Sequence, residues 1–196
     1  MRNAFQVRDV ARIAFLFRRL WLGCLLILAS VQPGIAAAQI LSAPADEVKA
    51  AYLFRFVNYI EWPDTAFASP SSPLVIGVAG ADAVYAELSR ILAGKTVHGR
   101  AVAPRRLAAG DPLEGVHVLF AGDAGLLRSA WLQRARDRPM LLVSDVPQGL
   151  ESGSTLNFVR VDQHLRFEAS LHAADRAGLK VSSRLLALAQ RVVGTP

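Results

Sequence analysis

Four histidines, a few acid pairs, two glycine pairs and several arginines are the residues of this chain whose types could support chemistry. His98, His117, His164 and His172 lack metal-ligand spacing, the last two standing eight apart across a strand end. Lone histidines on strands or turns read as hydrogen-bonded structural residues. No G-x-S-x-G elbow is present. Gly77-x-x-Gly80 and Gly122-x-x-Gly125 each follow an apolar run and open a helix, where a phosphate cradle forms. Each lacks the third glycine, and Asp82 or Asp123 would occupy the helix amides and repel phosphate. Asp46-Glu47, and Asp162 with Glu168, fit cap and strand-face roles better than a general acid and base. The residue types therefore predict a protein that is not an enzyme, with no metal and no cofactor.

The amino end explains much of the composition. Arg2, Arg8, Arg12, Arg18 and Arg19 precede an uncharged apolar run from Leu20 to Val31, a basic region before a hydrophobic one. The run then relaxes into Ala36-Ala37-Ala38, whose small residues suit signal peptidase, with Gln39 as the new first residue. At about 12 residues it is too short for a permanent span of a roughly 30 Å bilayer. Arg18-Arg19 has a twin-arginine look, but no cofactor motif calls for export of a folded protein, and ordinary export is the simpler reading. Gly23-Cys24 has the form of a lipoprotein site but lies inside the hydrophobic run. Residues 1–38 are thus expected to be a cleaved signal peptide and the exported protein to be periplasmic.

Removing that segment discards five arginines and Asp9, so the net charge of +6 falls to +2, with 17 basic and 15 acidic residues remaining. No basic patch with interleaved aromatics points to nucleic acid, and Arg134, Arg136 and Arg138 read as a solvated helix end. Cys24 is the only cysteine, so the exported form has no thiol chemistry and no disulfide. The remaining length of about 158 residues fits one domain, able to bury roughly two thirds of its unfolded surface without staples. Residues 39–45 read as a flexible mature amino end and 46–196 as a single domain.

Within that domain, elements alternate. Asp46 to Ile60 reads as a helix stopped by Pro63. Leu74 to Ala79 is an apolar strand, and Asp82 to Leu92 a helix opened by an aspartate cap. Strands over Lys95 to Pro104, Val116 to Ala121 and Met140 to Ser144 follow, with a helix over Ala124 to Arg136 before the last. Strands apolar on successive residues and separated by helices predict a mainly parallel sheet covered on both faces. Ser154 to Val161 and Leu165 to Ala169 flank Asp162-Gln163-His164 as an antiparallel hairpin. A short helix from Leu171 to Ala177 ends at Gly178, and a last helix capped by Ser182 or Ser183 runs through Val193. The fold class expected is a three-layer α/β sandwich with a C-terminal antiparallel hairpin and helices on both faces.

The first helix is apolar on two sides. Val48, Tyr52, Leu53, Phe56, Tyr59 and Ile60 form a broad core-like side, while Ala50, Phe54 and Val57 fall among Glu47, Asn58 and Glu61. A helix wedged between sheet and last helix accounts for both sides. The alternative makes Phe54 a partner-binding residue.

Val48-Lys49-Ala50-Ala51-Tyr52-Leu53-Phe54, running to Tyr59-Ile60-Glu61-Trp62-Pro63, resembles the opening helix of the YfiR-like proteins. Matches follow in order: Leu74-Val75-Ile76-Gly77-Val78, Gly94-Lys95-Thr96-Val97-His98-Gly99-Arg100 and His117-Val118-Leu119-Phe120. Gly153-Ser154-Thr155-Leu156-Asn157-Phe158, Leu165-Arg166-Phe167-Glu168 and Ala177-Gly178-Leu179-Lys180-Val181-Ser182-Ser183-Arg184-Leu185-Leu186 complete the set. The resemblance implies a periplasmic regulator that binds the periplasmic domain of an inner-membrane diguanylate cyclase or sensor kinase and holds it inactive. It also implies a three-layer α/β domain. Arg55 stands where relatives often carry a smaller polar residue, and Ser154 replaces a glycine. Arg55 and Arg184, on family-matching helices, are candidates to hold a small anionic ligand bidentately. A small-solute sensor is the alternative function, and a homodimer is left open. The exported protein is expected to begin at Gln39, which its intact mass checks; a species retaining residues 1–38 would be anchored instead.

Overall fold

The computed structural model describes residues 34–194, with side chains for 45–194. The chain divides into two units, residues 1–42 and 43–196. Of the first, only 34–42 are described, as helix, so the expected signal peptide, residues 1–38, lies almost wholly outside the described residues. Everything below concerns the second unit.

Helix α1 (Gly34–Phe56) continues into a 3-10 turn (Val57–Tyr59) and strand β1 (Ile60–Glu61). It is helical over 39–45, a stretch that the sequence presents as linker-like. The side facing the core is Ala50, Leu53, Phe56, Val57 and Ile60, one arc at helical spacing and all essentially inaccessible, so Ala50 and Val57, expected among the charged residues, belong to the core. Val48, expected in the core, is 41% exposed. Tyr52 and Phe56 meet Phe158 at 5.8 Å each, and Phe56 meets Phe167 edge-on at 5.1 Å. Such pairs add about 0.5–1.5 kcal/mol each beyond their burial.

The sheet contains β2 (Leu74–Ala79), β3 (Thr96–Val97), β4 (Arg100–Leu107), β5 (Val118–Ala121), β6 (Leu141–Ser144), β7 (Leu156–Val161), β8 (His164–Ser170) and β10 (Arg191–Val193). Their order is β10-β8-β7-β6-β5-β2-β4-β3. Neighbours from β4 to β7 are parallel, while β7–β8 and β3–β4 are antiparallel hairpins. Apart from it, β1 pairs with β9 (Lys180–Val181). Each strand feeds two cores by alternation. Val118, Phe120, Leu141 and Val143 join Ile76 and Val78 under α1 and α2 (Asp82–Leu92). Leu119, Ala121 and Leu142 pack under α3 (Ala124–Arg128) and α4 (Ala130–Gln133) on the other face. The layered α/β architecture expected from the sequence is the one observed.

Several boundaries differ for physical reasons. The strand expected over Lys95 to Pro104 is a hairpin, because His98 (φ 50°) and Gly99 (φ 77°) take the two positive φ values of a tight turn. Pro104 is tolerated in β4 because β3 pairs only with its first two residues. The helix expected over Ala124 to Arg136 breaks at Ser129, whose backbone is extended and whose hydroxyl donates to Leu126 O (2.6 Å). Asp162 and Gln163 alone make the β7–β8 turn, both at positive φ. The last helix is the main correction. After α5 (Leu171–Arg176) and β9, α6 is only Ser183–Leu186, capped by Ser182, and the chain then becomes β10. Gln190 N–H donates to Phe167 O (2.8 Å), drawing the β-branched Val192-Val193 alongside β8.

His117 ties the connection after β1 to the sheet. Val75 N–H donates to Nδ1 (3.1 Å), which leaves Nε2 to donate to Ala66 O (3.1 Å). Phe67 stacks on the imidazole at 4.3 Å, and the Arg100 guanidinium covers Phe67 at 3.9 Å. Burial, and secondarily the Arg100 charge, holds the imidazole below its ordinary 6.5. Because the folded value lies below the unfolded one, stability from the neutral ring is complete above about 6.5 and is lost as pH falls. The urea midpoint should therefore drop between pH 7.5 and pH 5.5, and His117→Gln should flatten that drop.

Candidate functional site

In an open α/β sheet the ligand crevice opens where the strand order reverses, here between the carboxyl ends of β2 and β5. That crevice is closed. Gly122 N–H donates to Ala79 O (2.9 Å), and a Cβ at Gly122 would stand 2.7 Å from Ala81 Cβ and 2.8 Å from Gly80 O. Gly80, at φ 69°, lies against Leu126 in the same way. Asp123 accepts from Leu126 N–H (2.9 Å) and so caps α3, whereas Asp82, expected as the cap of α2, is its first helical residue, caps none of its amides and pairs with Arg106 instead. The glycine pairs serve close packing of two loops. Among the described residues, no three His, Cys, Asp or Glu side chains gather as metal ligands.

Polar chemistry concentrates at the carboxyl end of β6 instead. Ser144, Ser154 and Asn157 are buried and joined, with Ser144 Oγ 2.7 Å from Ser154 Oγ and donating to Asn157 Oδ1 at 2.7 Å. Gly149 lets the 145–153 loop close over them, since a Cβ there would lie 2.4 Å from Ser144 Oγ. Strand register carries the row outward, Ser144 facing Asn157, Asn157 facing Glu168, and Glu168 facing Arg191. Glu168 accepts two hydrogen bonds from Arg191, at 2.8 and 2.9 Å, and Glu151 reaches the same guanidinium at 3.4 Å. Beside this row, Lys49 of α1 pairs with Asp145 (2.6 Å) and Asp46 (3.2 Å). Burial alone would lower the Lys49 ammonium, but the two carboxylates, Asp145 foremost, outweigh it and raise its pKa. A cleft of about 400 Å³ lies along this charged row, lined among others by Asp145, Glu151, Phe158, Arg160 and Arg191.

On the outer side of α1, Glu47, Val48, Ala51, Tyr52 and Arg55 line a second, more apolar cleft of about 320 Å³. Arg55 and Arg184 are both exposed, and among the described residues neither side chain makes a hydrogen bond or ion pair. The cleft that Arg55 lines does not include Arg184. Phe54 is half-buried and packs against the main core. Sequence reasoning missed Lys49, Asp145 and Arg191. A lysine within the apolar run of α1 was the available signal, whereas Glu168–Arg191 depends on β10, which read as helix.

The sequence pattern of the YfiR/HmsC-like family matches residues 46–190, most of the chain. The chain belongs to the YfiR/HmsC-like family. No curated protein matches it. Among solved structures, a conserved domain protein from Vibrio cholerae aligns with a TM-score of 0.42 at 15% identity, over 61% of this chain and 54% of that one. The chain thus spans about half the length of that protein. The YfiR/HmsC-like match begins at Asp46, the residue that with Asp145 brackets Lys49, and covers both clefts except for Arg191.

Phe54 sits at the margin of the core, so its truncation is expected to cost stability only in part. Phe54→Ala should destabilise by about 1–3 kcal/mol, short of the about 3–5 kcal/mol of a fully buried phenylalanine. Urea unfolding measures this, and a cost in the full range would make it a plain core residue.

Proposed function

We infer that this protein is a periplasmic regulatory binding protein that represses an inner-membrane signalling enzyme, a diguanylate cyclase first and a sensor kinase second, through that enzyme's periplasmic domain. Family membership supports a regulator of cyclic-di-GMP signalling, and the signal-like amino end supports export to the periplasm. Among the described residues no helix is long and apolar enough to cross a membrane.

The observation that carries the reading is the outer side of α1. Val48, Ala51 and Arg55 recur at helical spacing on a face the core does not use, with Tyr52 at its border packed on Phe158 and Phe167, and Val48 is 41% exposed. An aromatic and an arginine beside small apolar residues match the composition of protein–protein hot spots. Phe54, half-buried against the core, is not among the residues lining this face. A small-solute sensor remains the second reading, favoured by the 400 Å³ cleft. A ligand held jointly by Arg55 and Arg184 has less support, because they share no cleft.

Deleting the gene should raise cellular cyclic-di-GMP, and restoring the wild-type chain should return it to the starting level. Val48→Asp, at an exposed position, should leave melting unchanged and fail to restore repression. An unchanged cyclic-di-GMP level in the deletion strain would sink the regulator reading.

A further inference from the structure

Strand β6 ends at Ser144 and pairs with β7 at only two positions, Val143 with Leu156 and Ser144 with Asn157. Beyond that point β7 runs on to Val161 while the chain after Ser144 turns away into the 145–153 loop. What this leaves along β7 follows from hydrogen-bond phase. Just before β7, Thr155 N–H donates to Leu142 O of β6 (2.8 Å) while its carbonyl accepts from Ser170 N–H (2.8 Å); from there the pairing makes Asn157, Val159 and Val161 direct their backbone groups to β8. Gln190 N–H donates to Phe167 O, which points Phe167 at β10 and away from its partner Phe158, in agreement with the same phase. Leu156, Phe158 and Arg160 therefore direct theirs toward β6. At Arg160 no β6 residue is left to meet them, and among the described residues no other backbone group bonds there.

The 400 Å³ cleft lies at that place, with Phe158, Val159 and Arg160 along one wall and Asp145, Pro147, Gln148 and Glu151 along the other. An open strand edge facing a cleft is a template for an added strand. Charge selects what is added. Lys49 pairs with both Asp145 and Asp46, and Arg191 with both Glu151 and Glu168; with Arg160 of the β7 wall counted, these four carboxylates exceed the three cations by one.

We propose that this cleft binds an extended peptide segment carrying at least one lysine or arginine, which adds beside β7 in the space β6 leaves empty. Main-chain bonds to the Phe158 carbonyl and the Arg160 N–H hold the segment, and its basic side chain meets the excess carboxylate. Where that peptide belongs to the membrane partner, the inference rests on the regulator reading above. Its test is made on the free exported chain and fails independently of that reading.

Amide hydrogen exchange read residue by residue should show Arg160 exchanging at least a hundredfold faster than Val159 and Val161. The binding probe is a display library of random seven-residue peptides. Selected sequences should be enriched in lysine and arginine and should slow Arg160 exchange at least tenfold. Arg160→Pro removes the free N–H without touching the β8 ladder and should abolish binding. Glu151→Arg, in the loop, should weaken basic peptides at least tenfold even if the proline variant does not fold. Protection of the Arg160 amide in the free chain overturns the proposal. So does a library that yields no binders, or binders indifferent to Glu151→Arg.

Discussion

The packing of α1 on the β7–β8 hairpin is the contact on which the rest depends. Tyr52 and Phe56 interlock with Phe158 and Phe167, and Ala50 and Leu53 lie flat on the main core beside them. The antiparallel β7–β8 hairpin turns Phe158, Phe167 and Ala169 to this side, and α1 with its 3-10 extension packs on them. The Lys49–Asp145 pair then fixes where along the sheet the helix sits, because it links α1 to the loop leaving β6. A partly buried charge pair contributes little net stability but penalises every alternative register that would leave Asp145 alone.

From that contact follow both surfaces with a claim to function. Turning Ala50, Leu53 and Val57 inward obliges Val48, Ala51 and Arg55 to face out, which creates the apolar strip on the helix. Anchoring Asp145 to Lys49 carries the 145–153 loop away from β7, and the Ser144–Ser154–Asn157 cluster holds its two ends together beneath Gly149. The usual crevice of such a sheet is meanwhile sealed by the Gly80 and Gly122 loops. A domain built this way meets ligands at its edges and outer helix.

Much of this was readable from residues alone. Strand β2 and helix α2 have the bounds that an apolar run after Pro73 and an Asp82 start predict, because both signals are local. Gly178 ends α5 at positive φ for the same reason. The exposed side of α1 was not readable, since the helix is apolar on two sides and only its contacts with Phe158 and Phe167 of the distant hairpin decide which one turns inward. Strand β10 was hidden because Leu185, Leu188 and Val192 fit a helical stripe, and only the distant Phe167 carbonyl decides otherwise. The cleft beside β7 was beyond any local reading, as it exists through the early end of one strand against the register of another.

If the domain works through surface contact with a membrane enzyme, the most direct measurement is co-purification. The tagged exported chain, incubated with detergent-solubilised inner membranes of its own cell, should retain a protein that has a periplasmic domain and a cyclase or kinase domain. Val48→Asp should release it. Retention of no membrane protein, together with a small solute that raises the melting temperature of the chain on its own, would contradict this and make the protein a solute sensor.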